Sequence, residues 1–124
     1  MEYKEEAQQK LFVRWFKIQY PFFARLIMSI PNGQNVGGWR GQRLKDMGLL
    51  PGAPDLLIAV PTRRFSALFI EMKSITGNVT KMQKEIHSGL SLKGYRVDVC
   101  YSADEAIVAC KRYIEDGYDD EVKD

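Results

Sequence analysis

Histidine and cysteine are scarce. The chain has one histidine, His87, and two cysteines, Cys100 and Cys110, among 124 residues. A four-ligand zinc site built from Cys and His is therefore excluded. Two cysteines make no disulfide framework and suit a reducing compartment. No apolar run approaches the ~18 residues that a membrane span needs. The segment Met1–Glu6 is charged where a signal peptide is apolar, so the expectation is a cytoplasmic protein with no membrane partner. Glycines stand at Gly33, Gly37, Gly38 and Gly41, but no Gly-Lys-Ser/Thr ending follows them, so a nucleotide cofactor held by a P-loop is not expected. A transcriptional regulator would need a helix-turn-helix with a basic recognition helix, and no such second helix is visible.

What is present fits one α/β domain. Hydrophobic residues make up 45% of the chain and charged residues 27%, an ordinary globular balance. The formal net charge of +2 is unevenly spread. Acids crowd the segment from Glu115 to Asp124, leaving the rest of the chain distinctly basic, a mild pointer to nucleic acid. The reading is a single domain over residues 1–116 and an acidic, frayed tail over 117–124.

The periodicity predicts helices over Glu5–Gln19, Thr80–Leu92 and Ala103–Ile114, and a short basic helix over Arg40–Met47. Strands are predicted over Asp55–Val60, Ala67–Lys73 and Arg96–Tyr101, with Leu26–Ile30 as strand or helix. The order implies a small mixed central sheet flanked by helices.

Carboxylates interrupt this apolar pattern. Asp55 opens one strand; Glu71 and Lys73 close the next. Residues two apart on a strand share a face. A hairpin centred near Arg64 would set Asp55 opposite Lys73 and Leu57 opposite Glu71. All three polar groups then lie on one face at one end of the pair. Two carboxylates so placed repel each other. A divalent cation, Mg²⁺ or Mn²⁺, relieves that repulsion, and Lys73 beside it would orient water or offset charge on a phosphate. This is the apparatus of metal-assisted phosphodiester hydrolysis.

The surrounding motifs extend the reading. Ile30-Pro31-Asn32-Gly33, Lys45-Asp46-Met47-Gly48, Gly52-Ala53-Pro54-Asp55, Ile70-Glu71-Met72-Lys73, Gln83 and Ser102-Ala103-Asp104-Glu105 follow one another in order. In that order they resemble the VRR-NUC (virus-type replication–repair nuclease) family of the PD-(D/E)XK nuclease superfamily, over roughly Glu6 to Ile114. The resemblance implies a restriction-endonuclease-like core. It implies that Asp55 and Glu71 bind metal with the Met72 backbone carbonyl, that Lys73 is catalytic, and that Gln83 faces the site from a helix. Glu6 matches an N-terminal helix acid that approaches the metal, with Glu5 beside it as the alternative.

Contacts to DNA phosphates are expected from Arg40, Arg43, Lys45, Arg63 and Arg64. The glycine-rich loop is expected to assist with backbone N–H groups. His87, one helical turn after Gln83, is read as structural, and both cysteines as buried and inert. The expected activity is a DNA endonuclease acting on Holliday junctions or other branched DNA, in phage-type replication or repair. Such paired cutting implies a homodimer, with Trp39, Tyr20, Phe22 and Phe23 as interface candidates. The alternatives are a non-catalytic nucleic-acid- or protein-binding module on the same fold and a monomeric flap or single-strand nuclease.

Overall fold

Apolar side chains recurring every three to four residues build α1 (Glu2–Gln19), and Pro21 starts a short 3₁₀ turn, Pro21–Leu26, just beyond its end. The computed structural model describes residues 2–32 and 37–115. Along the chain follow β1 (Ile27–Ser29), α2 (Gly38–Asp46), β2 (Leu56–Ile58), β3 (Leu68–Met72), α3 (Lys81–Leu92), β4 (Arg96–Cys100) and α4 (Ala103–Ile114). The ambiguous run at Leu26–Ile30 is thus part 3₁₀ turn and part edge strand. The glycine-rich segment is loop only in part, because Gly38 and Gly41 belong to α2; Gly33 and the acidic tail from Asp116 lie outside the described residues.

The sheet order is β1-β2-β3-β4. The first two pairings are antiparallel, and β3 pairs parallel with β4 across the α3 connection. Strand alternation sorts the side chains into two layers. Leu56, Ile58, Leu68, Ile70, Met72 and Cys100 point to one face and pack with Phe12 and Phe16 of α1 and Ala106, Cys110 and Tyr113 of α4. The opposite face carries Leu57, Phe69 and Glu71 beneath α3. Both cysteine thiols are buried and pushed up to about 12, chiefly by desolvation, as expected for inert groups. Tyr20 and Phe23 also pack against the core, so they are not the surplus aromatics anticipated for an interface. Phe22 and Trp39 remain exposed.

The predicted hairpin register is corrected. Leu56 faces Ile70, Leu57 faces Phe69 and Ile58 faces Leu68, two residues away from the expected pairing. Alternation does not choose between the two registers, because a shift of two keeps Leu56 and Ile58 on the core face; the observed one sets them beside Ile70 and Leu68. The connection between the strands does not impose one. Ala59 N–H bonds to Leu26 of the neighbouring segment, and the loop closes on itself through Thr62 N–H and the Phe65 carbonyl at 2.8 Å. Tyr113 Oη donates to the Val60 carbonyl at 2.8 Å, pinning this loop to α4. Tyr113→Phe is therefore expected to cost about 1–2 kcal/mol, because a buried carbonyl loses its donor. Denaturant unfolding would measure it, and an unchanged midpoint would remove the pin.

Candidate active site

Asp55 lies one residue before β2, and continuing the observed ladder by one step sets it directly opposite Glu71. The backbone holds it there. Ile30 N–H donates to the Asp55 carbonyl at 2.8 Å, and Met72 N–H donates to Asp55 Oδ2 at 2.7 Å. In an extended strand the N–H and C=O of one residue point to the same edge, so the Met72 carbonyl faces the Asp55 side as well. The turn before Asp55 depends on Gly52. Its φ of 90° suits glycine, and an added Cβ would stand 3.1 Å from side-chain atoms of Met82 and Ile86. The chain passes that close to α3 because glycine leaves room.

Glu71 is 2% exposed and is, with Gln83, one of two buried polar side chains among the described residues. Burial pushes its carboxyl up to about 8, and the Asp55 charge adds to the effect. Burial also raises Asp55, against the opposing pull of the Met72 N–H. The two carboxyl groups are close enough for each to bear on the other's protonation. The nearby Lys73 ammonium favours the ionised form of both. Lys73 N–H bonds to the Cys100 carbonyl at 2.9 Å, keeping the strand end aligned.

α3 closes the site. Thr80 caps the helix: its Oγ1 accepts the Gln83 N–H at 3.1 Å, and Gln83 Oε1 accepts the Thr80 N–H at 2.9 Å. Gln83 Nε2 then donates to Glu71 Oε2 at 3.3 Å. One turn later His87 Nε2 lies 3.4 Å from Glu71 Oε1. His87 is lowered, first by desolvation and then by the Lys73 charge, so its neutral form is favoured. His87 is more than the structural residue expected: its i+4 spacing from Gln83, the one signal in the sequence, puts both on one helix stripe.

Of the two N-terminal acids, Glu5 is the one that meets the strand end. Its Oε2 accepts the Ser74 N–H at 3.1 Å, and its charge raises both Asp55 and Glu71. Glu6 is on a different side of α1, lining a surface cleft with Gln9, Lys10 and Val13. Adjacent helix positions point about 100° apart, so only one of the two acids reaches the strand end. Arg40, Arg43 and Lys45 are exposed on α2. Leu44 and Met47 of that segment line an apolar cleft with Ala53 and Pro54, the residues leading into Asp55. Arg63 and Arg64 lie in the β2–β3 connection, at the opposite end of these strands from Asp55 and Glu71.

This donor set fits a hard divalent cation. Two facing carboxyls with raised proton affinity form a site short of positive charge, and oxygen ligands are what Mg²⁺ or Mn²⁺ takes. Among the described residues no three His, Cys, Asp or Glu side chains form a metal cluster by themselves. Water and substrate oxygens would complete the shell, as is usual for Mg²⁺. Among the described residues no helix is long and apolar enough to cross a membrane.

Comparison with known proteins gives a family and a fold. The family model of the VRR-NUC domain matches residues 3–104. A solved structure described as a VRR_NUC domain protein superimposes with a TM-score of 0.79 at 27% identity, covering 90% of this chain and 88% of the other. No curated protein matches the sequence.

Proposed function

Since the chain belongs to the VRR-NUC family and is thus a nuclease of the PD-(D/E)XK type, we propose that it is a metal-dependent DNA endonuclease selective for branched DNA such as Holliday junctions. The observation that carries this is the facing pair Asp55 and Glu71, with Lys73 two residues along the same strand. Asp55, Glu71 and the Met72 carbonyl would hold Mg²⁺ or Mn²⁺, which supplies positive charge against the scissile phosphate. Lys73 would orient the attacking water and offset negative charge as it grows on the phosphate. Gln83 holds Glu71 in place, and Glu5 gives a third acidic side chain near the strand end.

One small domain offers little surface for reading base sequence, which favours recognition of DNA shape. A four-way junction has two-fold symmetry, and resolving it takes two nicks. One chain carries one Asp55–Glu71–Lys73 site, so a homodimer is the assembly that fits. Exposed Phe22 and Trp39 are the remaining interface candidates. The setting proposed is phage-type replication or repair, in the host cytoplasm.

A panel of duplex, flap, splayed-arm and four-way-junction DNA, with Mg²⁺ or with chelator, tests the proposal. Paired nicks in the junction by a dimer are the expected result. Cutting of flaps alone by a monomer favours the flap-nuclease alternative, and no metal-dependent cutting favours a binding module.

DNA affinity should fall steeply with salt, because phosphate contacts release counterions. Arg40→Ala and Arg43→Ala are each expected to weaken binding several-fold and to reduce the log–log salt slope by about 1, with divalent-cation binding intact. Fluorescence anisotropy across a salt series checks this. An affinity indifferent to salt would remove α2 from the interface.

A further inference from the structure

Gln83 and His87 meet different oxygens of one carboxylate, Oε2 at 3.3 Å and Oε1 at 3.4 Å. The His87 side chain is 13% exposed and that of Glu71 3%, so bulk water competes little for either contact. The Gln83 amide has one orientation open to it. Its oxygen is committed to the Thr80 N–H at the helix cap, which leaves the NH₂ to face Glu71. An ionised carboxylate only accepts hydrogen bonds, so the His87 tautomer that serves it carries hydrogen on Nε2.

A carboxylate rotates in a broad well about its last torsion. One donor tethers one oxygen and leaves that rotation soft. Two donors from successive turns of α3, one on each oxygen, fix it. Asp55 takes the remaining approach from β2. The plane of the Glu71 carboxylate is therefore set by α3, and α3 is itself set by its cap.

We propose that His87 is a positioning residue that, together with Gln83, fixes the rotation of the Glu71 carboxylate for holding the divalent cation. The inference rests on the reading of Asp55 and Glu71 as the metal-holding pair. Groups behind a metal ligand commonly change metal affinity or activity about 10–100-fold when removed.

The test compares His87→Phe, which fills the volume without a donor, with His87→Gln, which keeps one. His87→Leu serves as a second donor-free variant of smaller volume. Each full-length variant is measured for Mn²⁺ affinity by calorimetric titration, thermal stability without metal, and kcat and KM on branched DNA. The donor-free variants are expected to bind Mn²⁺ about tenfold more weakly and to lose kcat about 10–100-fold. Their KM for DNA should stay within about twofold. His87→Gln should recover most of both losses. Wild-type Mn²⁺ affinity and kcat in a folded donor-free variant would overturn the proposal. So would a His87→Gln variant as impaired as His87→Phe with a matching loss of thermal stability, which makes His87 a packing residue. A wild-type protein that binds Mn²⁺ but cuts no DNA would end the nuclease reading alone, because the Mn²⁺ affinities still decide His87. A wild-type protein that binds no Mn²⁺ overturns both.

Discussion

Glu71→Ala is expected to abolish metal-dependent cleavage, by several powers of ten, in a protein that still folds. The loss is large because the carboxylate would hold the cation that offsets negative charge growing on the phosphate. Gln83 and His87 donate hydrogen bonds in the geometry that serves an ionised Glu71, and neither supplies an anionic oxygen. Folding survives because burial disfavours the Glu71 carboxylate in the metal-free protein, so the mutation removes a group that the fold holds at a cost. Asp55→Asn should be comparably inactive. Asparagine is chosen there because its oxygen can still accept the Met72 N–H, whereas alanine would strand a backbone donor. Lys73→Met should leave cation binding in place and lower kcat. Plasmid nicking and junction cleavage at saturating Mg²⁺ measure all three, with circular dichroism as the folding control. A Glu71→Ala variant that cuts at the wild-type rate would refute the site.

The stability of the metal-free protein is expected to fall as pH rises from about 4.5 to 8, through Glu71. The folded chain keeps this proton up to about pH 8, while the unfolded chain releases it near 4.5. Folding therefore takes up a proton in that window, and stability decreases with rising pH. Asp55, also raised, acts in the same direction. His87, lowered, acts in the opposite one, below its ordinary value of 6.5. Comparison with Glu71→Gln isolates the first effect. The variant should gain on the wild type by on the order of 2 kcal/mol between pH 5 and pH 8.5, a figure discounted because Asp55 and Lys73 beside it are only half-buried. Mg²⁺ should raise the wild-type melting temperature at pH 8.5 far more than at pH 5, since cation and proton compete for the same oxygens. Thermal scans at both pH values, with Mg²⁺ or chelator, provide the measurement. A stability difference independent of pH would show that Glu71 is not held protonated by the fold.

The sequence by itself determined the elements and the chemistry-bearing residues. Helical spacing at Phe12 and Phe16 and the apolar runs around Leu56–Ile58 and Leu68–Met72 are local signals, and local signals suffice for helices and strands. α4 occupies the predicted residues Ala103–Ile114. Alternation along a strand also determined that Asp55 and Glu71 share a face, since a shift of register by two keeps every side chain on its side.

Only the tertiary structure decided how those residues meet. The partner of Asp55 is Glu71, where a hairpin centred near Arg64 would give Lys73; both registers put the same side chains on the core face, so strand alternation does not decide between them. The choice between Glu5 and Glu6 was open in the sequence, since both sit on one helix. It turns on the angle at which α1 crosses the strand end, and the Ser74 N–H selects Glu5. His87 has no motif to announce it. Its contact with Glu71 exists because α3 lies across the sheet face that carries the acid, and helix placement over a sheet is a sum of many side-chain packings that no short stretch of sequence records.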